Sequence, residues 1–153
     1  MNHLAQINIG RAIAALSDPV MADFVRQLDE VNALAEQNSG FVWRLKSDDG
    51  TPSSYIHVFD DPKLLINMSV WKSIEALRDY VYRTDHGKVY ADRRKWFEPF
   101  GKASFALWWI NAGEVPSLEE GLERLEFLWQ HGPSPTAFTF KHQFAKCPKN
   151  LSI

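Results

Sequence analysis

His86 is the side chain best suited to move a proton near neutral pH, because imidazole alone has an unperturbed pKa in that range. On a continuous helix Tyr82, His86, Tyr90, Arg93 and Phe97 fall on one stripe by steps of three or four. A histidine set between Tyr and Arg can serve as base, substrate anchor or axial haem ligand. The competing reading is a helix-end histidine beside Gly87 that bonds the last carbonyls.

A second group is neutral. Gln6 and Asn8 alternate along one segment and Asn67 and Ser69 along another, each beside apolar residues of the same parity: Leu4, Leu65 and Trp71. Amides and hydroxyls in the middle of a sheet need partners if buried. A half-polar concave face suits a small-molecule cavity in which Asn67 and Asn8 orient oxygen atoms. The alternative is that these four groups face water or bond one another across a subunit contact. Trp71 shares their face and is expected to line the pocket; of Trp108 and Trp109, one points toward the helices and one away. Tyr82 and Trp108 complete the expected substrate-binding set of Gln6, Asn8, Ser69, Trp71, Tyr82 and Trp108, with His86 and Asn67 as the catalytic pair.

Other groups offer less. Arg83, Arg93 and Arg94 can hold a carboxylate, yet beside Asp92 and Lys95 they read as a solvated helix face. His3, His57, His131 and His142 show no metal-site spacing, so no metal is expected. The chain has neither a glycine-rich phosphate loop nor a serine nucleophile elbow.

The elements that must position these residues follow from periodicity. His3 to Ile9 alternates as a strand. Asp18-Pro19 opens a helix with Val20, Phe24, Leu28, Val31 and Ala35 on its stripe, closed by Ser39-Gly40. Phe41 to Lys46 is a strand with Phe41, Trp43 and Leu45 on one face. Turn formers fill the connection from Ser47 to Lys63, in which Tyr55 to Phe59 can form a short strand. Leu64 to Trp71 is the clearest strand. Ser73 caps a helix through Leu77 and Val81, and helical pattern resumes through Trp96. Ala103 to Ile110 is the next strand, and Ser117-Leu118-Glu119-Glu120 is a capping box that opens a further helix. Phe138, Phe140, His142 and Phe144 alternate as a last strand, and residues after Cys147 form a tail.

The order β-α-β-β-α-β, then α-β, is the split pattern of ferredoxin-like α+β domains: an antiparallel sheet with helices on one face and a C-terminal helix and strand added. It predicts one domain over residues 1–146 and a tail over 147–153. In this topology the first and third strands are central, and Ala5, Ile7, Ile9, Ile66, Met68 and Val70 are expected to face the two helices.

Composition narrows the classes. The 153 residues are 45% hydrophobic and 24% charged, enough for a core without staples. A net charge of −2 argues against a nucleic-acid or anionic-membrane partner. An RNA-recognition reading also fails on Asn67-Met68-Ser69-Val70-Trp71, which lacks the basic and aromatic signature of that strand. One cysteine, Cys147, permits no internal disulfide. Neither a signal peptide nor a membrane-spanning run is visible, so the expected address is the cytoplasm.

Over nearly the whole chain, from about the first strand to Phe144 and most plainly from Asp60-Asp61-Pro62 onward, the sequence resembles a bacterial family catalogued as domain of unknown function 3291, within the dimeric α/β-barrel superfamily. The resemblance lies in Asn67-Met68-Ser69-Val70-Trp71, Val81-Tyr82-Arg83 with His86, Arg93-Arg94-Lys95-Trp96-Phe97, and Ala106-Leu107-Trp108-Trp109. It continues through Gly132-Pro133 and Ala137-Phe138-Thr139-Phe140. Lys72 and Glu114 depart from the usual pattern, where an acid and a histidine are common. The resemblance implies the fold and a homodimer whose sheet faces pack against each other around the cavities. Superfamily relatives include cofactor-independent monooxygenases and haem-binding enzymes.

Three functions are expected from this reading. One is a cofactor-independent, monooxygenase-like enzyme acting on a small aromatic or quinol-type molecule. The others are a haem-binding protein with His86 as axial ligand and a non-catalytic ligand-binding module.

Overall fold

The computed structural model describes residues 1–46, 63–83, 96–99 and 101–145, apart from the side chains of Asp29, Val31, Tyr82 and Arg83. The segment Tyr55 to Phe59 and the residues from His86 to Lys95 lie outside the described residues. The sheet is built on β1 (Asn2–Ala12), which pairs antiparallel with β3 (Leu64–Trp71) on one side. Its other side pairs with β5 (Phe105–Asn111) over its first half and with β4 (Phe97–Glu98) near its end. Strand β2 (Phe41–Arg44) adds to the outer edge of β3. This is an antiparallel, ferredoxin-like α+β sheet, and its central pair is the one that the order of elements predicts.

Asp18 accepts from the Val20 N–H and starts a 3-10 turn over Pro19–Met21, which runs into α1 (Ala22–Gln37). Helix α2 spans Ile74–Arg83, with the Ser73 hydroxyl accepting from the Ala76 N–H. Helix α3 spans Leu118–His131. Ser117 caps it by accepting from the Glu120 N–H. Gly132, at φ +74°, ends it in a conformation that other residues adopt only with strain.

The helices reverse the expected assignment of faces. Ala5, Ile7, Ile9, Ile66, Met68, Val70, Ala106 and Trp108 do form a core, but they pack against Leu125 and Leu128 of α3. Gly121 allows this approach, since a Cβ there would lie 2.6 Å from Met68 Sδ and 3.0 Å from Ile7 Cδ1. Helices α1 and α2 cover the opposite face. Phe24, Val25 and Leu28 of α1 meet Ala12, Leu65 and Trp96, while Ala35 joins Leu4, Trp71, Ile74, Leu77 and Tyr80. The expectation assumed one covered face. When both sides of an antiparallel sheet are buried, apolar alternation no longer tells which side holds which helix.

Three local expectations change as well. A register shift between Phe41 and Trp43 sets Phe41 opposite Trp71 but Trp43 opposite Val70, so the two rings point to different faces. Phe97 is a strand residue, so a helical stripe from Tyr82 does not extend to it. Phe138 makes a two-way bridge with Leu107 (2.8 and 2.9 Å) without extending into a strand. Phe138, Phe140 and Phe144 instead pack on Phe105, Leu107 and Trp109 along the edge of the α1/α2 face.

Candidate functional site

Register brings the four polar residues together: Gln6 sits opposite Ser69 and Asn8 opposite Asn67, on neighbouring rungs of the same face. That face is the one under α1 and α2. The row therefore lies inside one chain, between sheet and helices, and not on an open face awaiting a second subunit. Two separate apolar groups flank it, one around Leu4, Trp71 and Tyr80 and the other around Leu65, Phe24 and Trp96. Gln6 and Ser69 are buried, while Asn8 and Asn67 are half-buried.

The row is wired internally. Gln6 Nε2 donates to Asn67 Oδ1 at 2.7 Å and to Ser69 Oγ at 2.6 Å. Asn8 Nδ2 donates to Gln6 Oε1 at 3.1 Å and to Asn67 Oδ1 at 3.3 Å. Trp71 Nε1, which can only donate, reaches Ser69 Oγ at 2.8 Å. Counting donors and acceptors leaves a defined remainder among the described residues: both Asn67 Nδ2 protons, the Asn8 Oδ1 lone pairs and the Ser69 hydroxyl proton. These groups are free to meet a ligand.

Two expected ligand contacts, Trp71 and Trp108, change. Trp71 is 1% exposed, with Phe41 edge-on at 5.5 Å and Tyr80 tilted against it at 5.1 Å. Its ring is covered by its neighbours, so its part is to hold the Ser69 hydroxyl. Trp108 lies on the opposite face, fully buried, donating to Glu120 Oε2 at 2.8 Å with the Arg124 guanidinium over its ring. Its face follows from pairing with Ala5, an odd-numbered residue of β1, whereas the site residues of that strand are even. Trp109 takes the site face, but it packs beside Phe138 and donates to the Phe144 carbonyl. Tyr82 is on α2, and His86, on which any haem reading depends, lies outside the described residues.

Among the described residues the row itself is neutral. Arg44 pairs in register with Ser69, but its guanidinium is bound to Glu36 Oε1 at 2.7 Å, with Lys46 Nζ at 3.7 Å from the same oxygen. Hydrogen bonding from Arg44 holds the Glu36 carboxyl below its ordinary pKa. Burial pushes the Tyr80 phenol well above the usual tyrosine value, against a smaller opposing pull from Arg44. Tyr80 is thus protonated at neutral pH and is no base. The described residues can bind and orient an oxygen-bearing molecule and steady a developing oxyanion through Asn67 Nδ2 and Ser69 Oγ. A proton acceptor must come from elsewhere.

One residue escaped the sequence reading. Asn32 is 7% exposed on α1, four residues past Leu28 and three before Ala35, both of which pack toward the sheet. A polar residue next to Val31 inside an otherwise apolar stripe was the available signal.

Among the described residues no three His, Cys, Asp or Glu side chains gather to hold a metal, and no helix is long and apolar enough to cross a membrane. A surface depression of about 490 Å³ lined by Lys102, Ala103, Glu126, Leu128, Trp129 and Gln130 lies away from the polar row.

Comparison with solved structures agrees with this architecture. The chain is similar to SnoaB, a cofactor-independent oxygenase from Streptomyces nogalater, at 14% identity and a TM-score of 0.50, covering 75% of this chain and 97% of that one. It is similar to a conserved protein from Methanosarcina mazei at 11% identity and a TM-score of 0.50, covering 72% and 93%. At such identities the likeness speaks for the fold alone. No curated protein matches the sequence. The model of the family described as domain of unknown function DUF3291 matches residues 3–151, nearly the whole chain, and the protein belongs to that family.

Proposed function

We propose that the protein takes a small aromatic or quinol-type molecule into a cleft between the sheet and helices α1 and α2, beside the half-buried Asn8 and Asn67, and oxidises it with molecular oxygen, without a cofactor. The observation that carries this reading is the set of uncommitted groups on Asn67, Asn8 and Ser69, held in place by bonds that the rest of the row has already spent. The likeness in fold to a cofactor-independent oxygenase supports it.

In this reading a base, with His86 as the candidate, removes a phenolic proton, and the charge spreads to a ring carbon. Asn67 Nδ2 and the Ser69 hydroxyl stabilise the resulting oxyanion. The ring carbon adds oxygen to give a hydroperoxide, which loses water to leave a carbonyl. A quinol and one oxygen molecule thus become a hydroxyquinone and one water, with the substrate supplying every electron. A homodimer belongs to the same reading, through a surface other than the one α3 covers.

Oxygen uptake with a panel of phenols, naphthols and hydroquinones tests the proposal. Turnover is expected in the wild type and about a 100-fold lower rate in Asn67→Ala, the size of effect typical of a lost oxyanion donor. Binding without uptake would replace the enzyme with a ligand-binding module.

A further inference from the structure

Among the described residues Asn32 is a further buried polar group, and it stands on the sheet-facing stripe of α1. Phe24 and Leu28 pack near Leu65, and Ala35 packs near Trp71, so α1 runs alongside β3 in the same direction. Asn67 and Ser69 lie between those two points on the strand, and Asn32 lies between them on the helix. Its side chain therefore projects over the polar row.

Among the described residues no hydrogen bond is made by the Asn32 amide, although the residue is 7% exposed. The side-chain atom left both fully enclosed and unpartnered there is His3 Nδ1. Asn32 thus still touches space that water can enter. A buried amide without a protein partner is costly to the empty protein, and a leucine, which keeps the branched outline though it is bulkier, would avoid that cost. What the amide offers is a second hydrogen-bonding wall, facing Asn67 Nδ2 and Asn8 Oδ1 across the cleft.

We infer that Asn32 contacts the ligand directly and that the cleft selects an uncharged molecule carrying a carbonyl oxygen beside a hydroxyl. This rests on the reading of the cleft as a small-molecule site. Uncommitted donors and acceptors meet there, and among the described residues the cations nearest the row are already engaged: Arg44 by Glu36, with Lys46 beside the same carboxylate. A carboxylate entering between neutral amides would lose its hydration with only partial compensation.

The test uses two probes that share a ring and differ in charge, 1-hydroxy-2-acetonaphthone and 1-hydroxy-2-naphthoate, with binding followed by quenching of tryptophan fluorescence. The wild type is expected to bind the ketone at least tenfold more tightly than the carboxylate. Asn32→Leu is expected to weaken ketone binding about tenfold while raising the Tm of the empty protein by about 2–4 °C. Asn32→Ser, which keeps a hydroxyl, should fall between the two in affinity. A purely structural Asn32 would instead give a lower Tm for Asn32→Leu with unchanged binding, and that result overturns the inference. Equal affinity for both probes, or no binding of the ketone by the wild type, overturns it too. Oxygen consumption plays no part in this readout, so an inactive protein that binds the ketone would sink the oxygenase reading alone.

Discussion

Ser69→Ala removes one oxygen atom and no packing volume, yet two buried donors end on that atom. Trp71 Nε1 approaches it at 2.8 Å and Gln6 Nε2 at 2.6 Å. With Gln6 2% and Trp71 1% exposed, the two donors have little access to water as a substitute acceptor in the empty protein. The indole N–H loses its acceptor outright. The Gln6 amide keeps one bond, to Asn67 Oδ1, and loses the other. Each buried donor left unpaired costs about 1–3 kcal/mol, so the substitution should destabilise the fold by about 2–5 kcal/mol, against a typical total of about 5–15.

Urea unfolding followed by tryptophan fluorescence measures this as a fall in midpoint of about 1–2 M at unchanged slope. The same serine change made in a Trp71→Phe background has one donor fewer to orphan. There it should cost about 1–3 kcal/mol less, which isolates the indole bond. A loss under about 0.5 kcal/mol for Ser69→Ala, the scale of an ordinary surface substitution, would refute the idea that this hydroxyl is the anchor of the polar row.

Two further outcomes follow from the same geometry. Gly121→Val should destabilise the protein by about 2 kcal/mol or more, because its Cβ would press on Met68 Sδ at 2.6 Å in a core with no spare space. An unchanged Tm would mean that α3 stands off the sheet. Burial holds the Tyr80 phenol above the ordinary tyrosine pKa of about 10. The neutral phenol's contribution is therefore complete below about pH 10 and is lost as pH rises from there toward the folded-state value. Tyr80→Phe should accordingly show a shallower loss of stability between about pH 10 and 11 than the wild type; matching slopes in urea titrations would contradict this.

Much of the architecture was legible in residue order. The alternation of Leu64 to Trp71, the Asp18-Pro19 opening and the Ser117 cap each depend on neighbours within a few positions, and all three appear where those neighbours demand. The same holds for the parity that puts Gln6, Asn8, Asn67, Ser69 and Trp71 on one face, because side chains alternate strictly along a strand.

What parity cannot tell is which side of the sheet meets which helix. Both faces offered apolar residues, and polarity pointed to the wrong one, since Gln6, Asn8, Asn67 and Ser69 satisfy much of their hydrogen bonding among themselves and so tolerate a covering helix. Three-dimensional packing decided that α3 takes the Ile7–Met68 side, that Trp108 goes with it, and that the polar row is enclosed by α1 rather than by another subunit. It also buried Asn32 on the α1 stripe between Leu28 and Ala35, both of which pack toward the sheet. Local sequence sets strand parity and helix ends through short-range sterics and hydrogen bonds. The partner across each face is set by how every apolar surface can be buried at once, and that is a property of the whole chain.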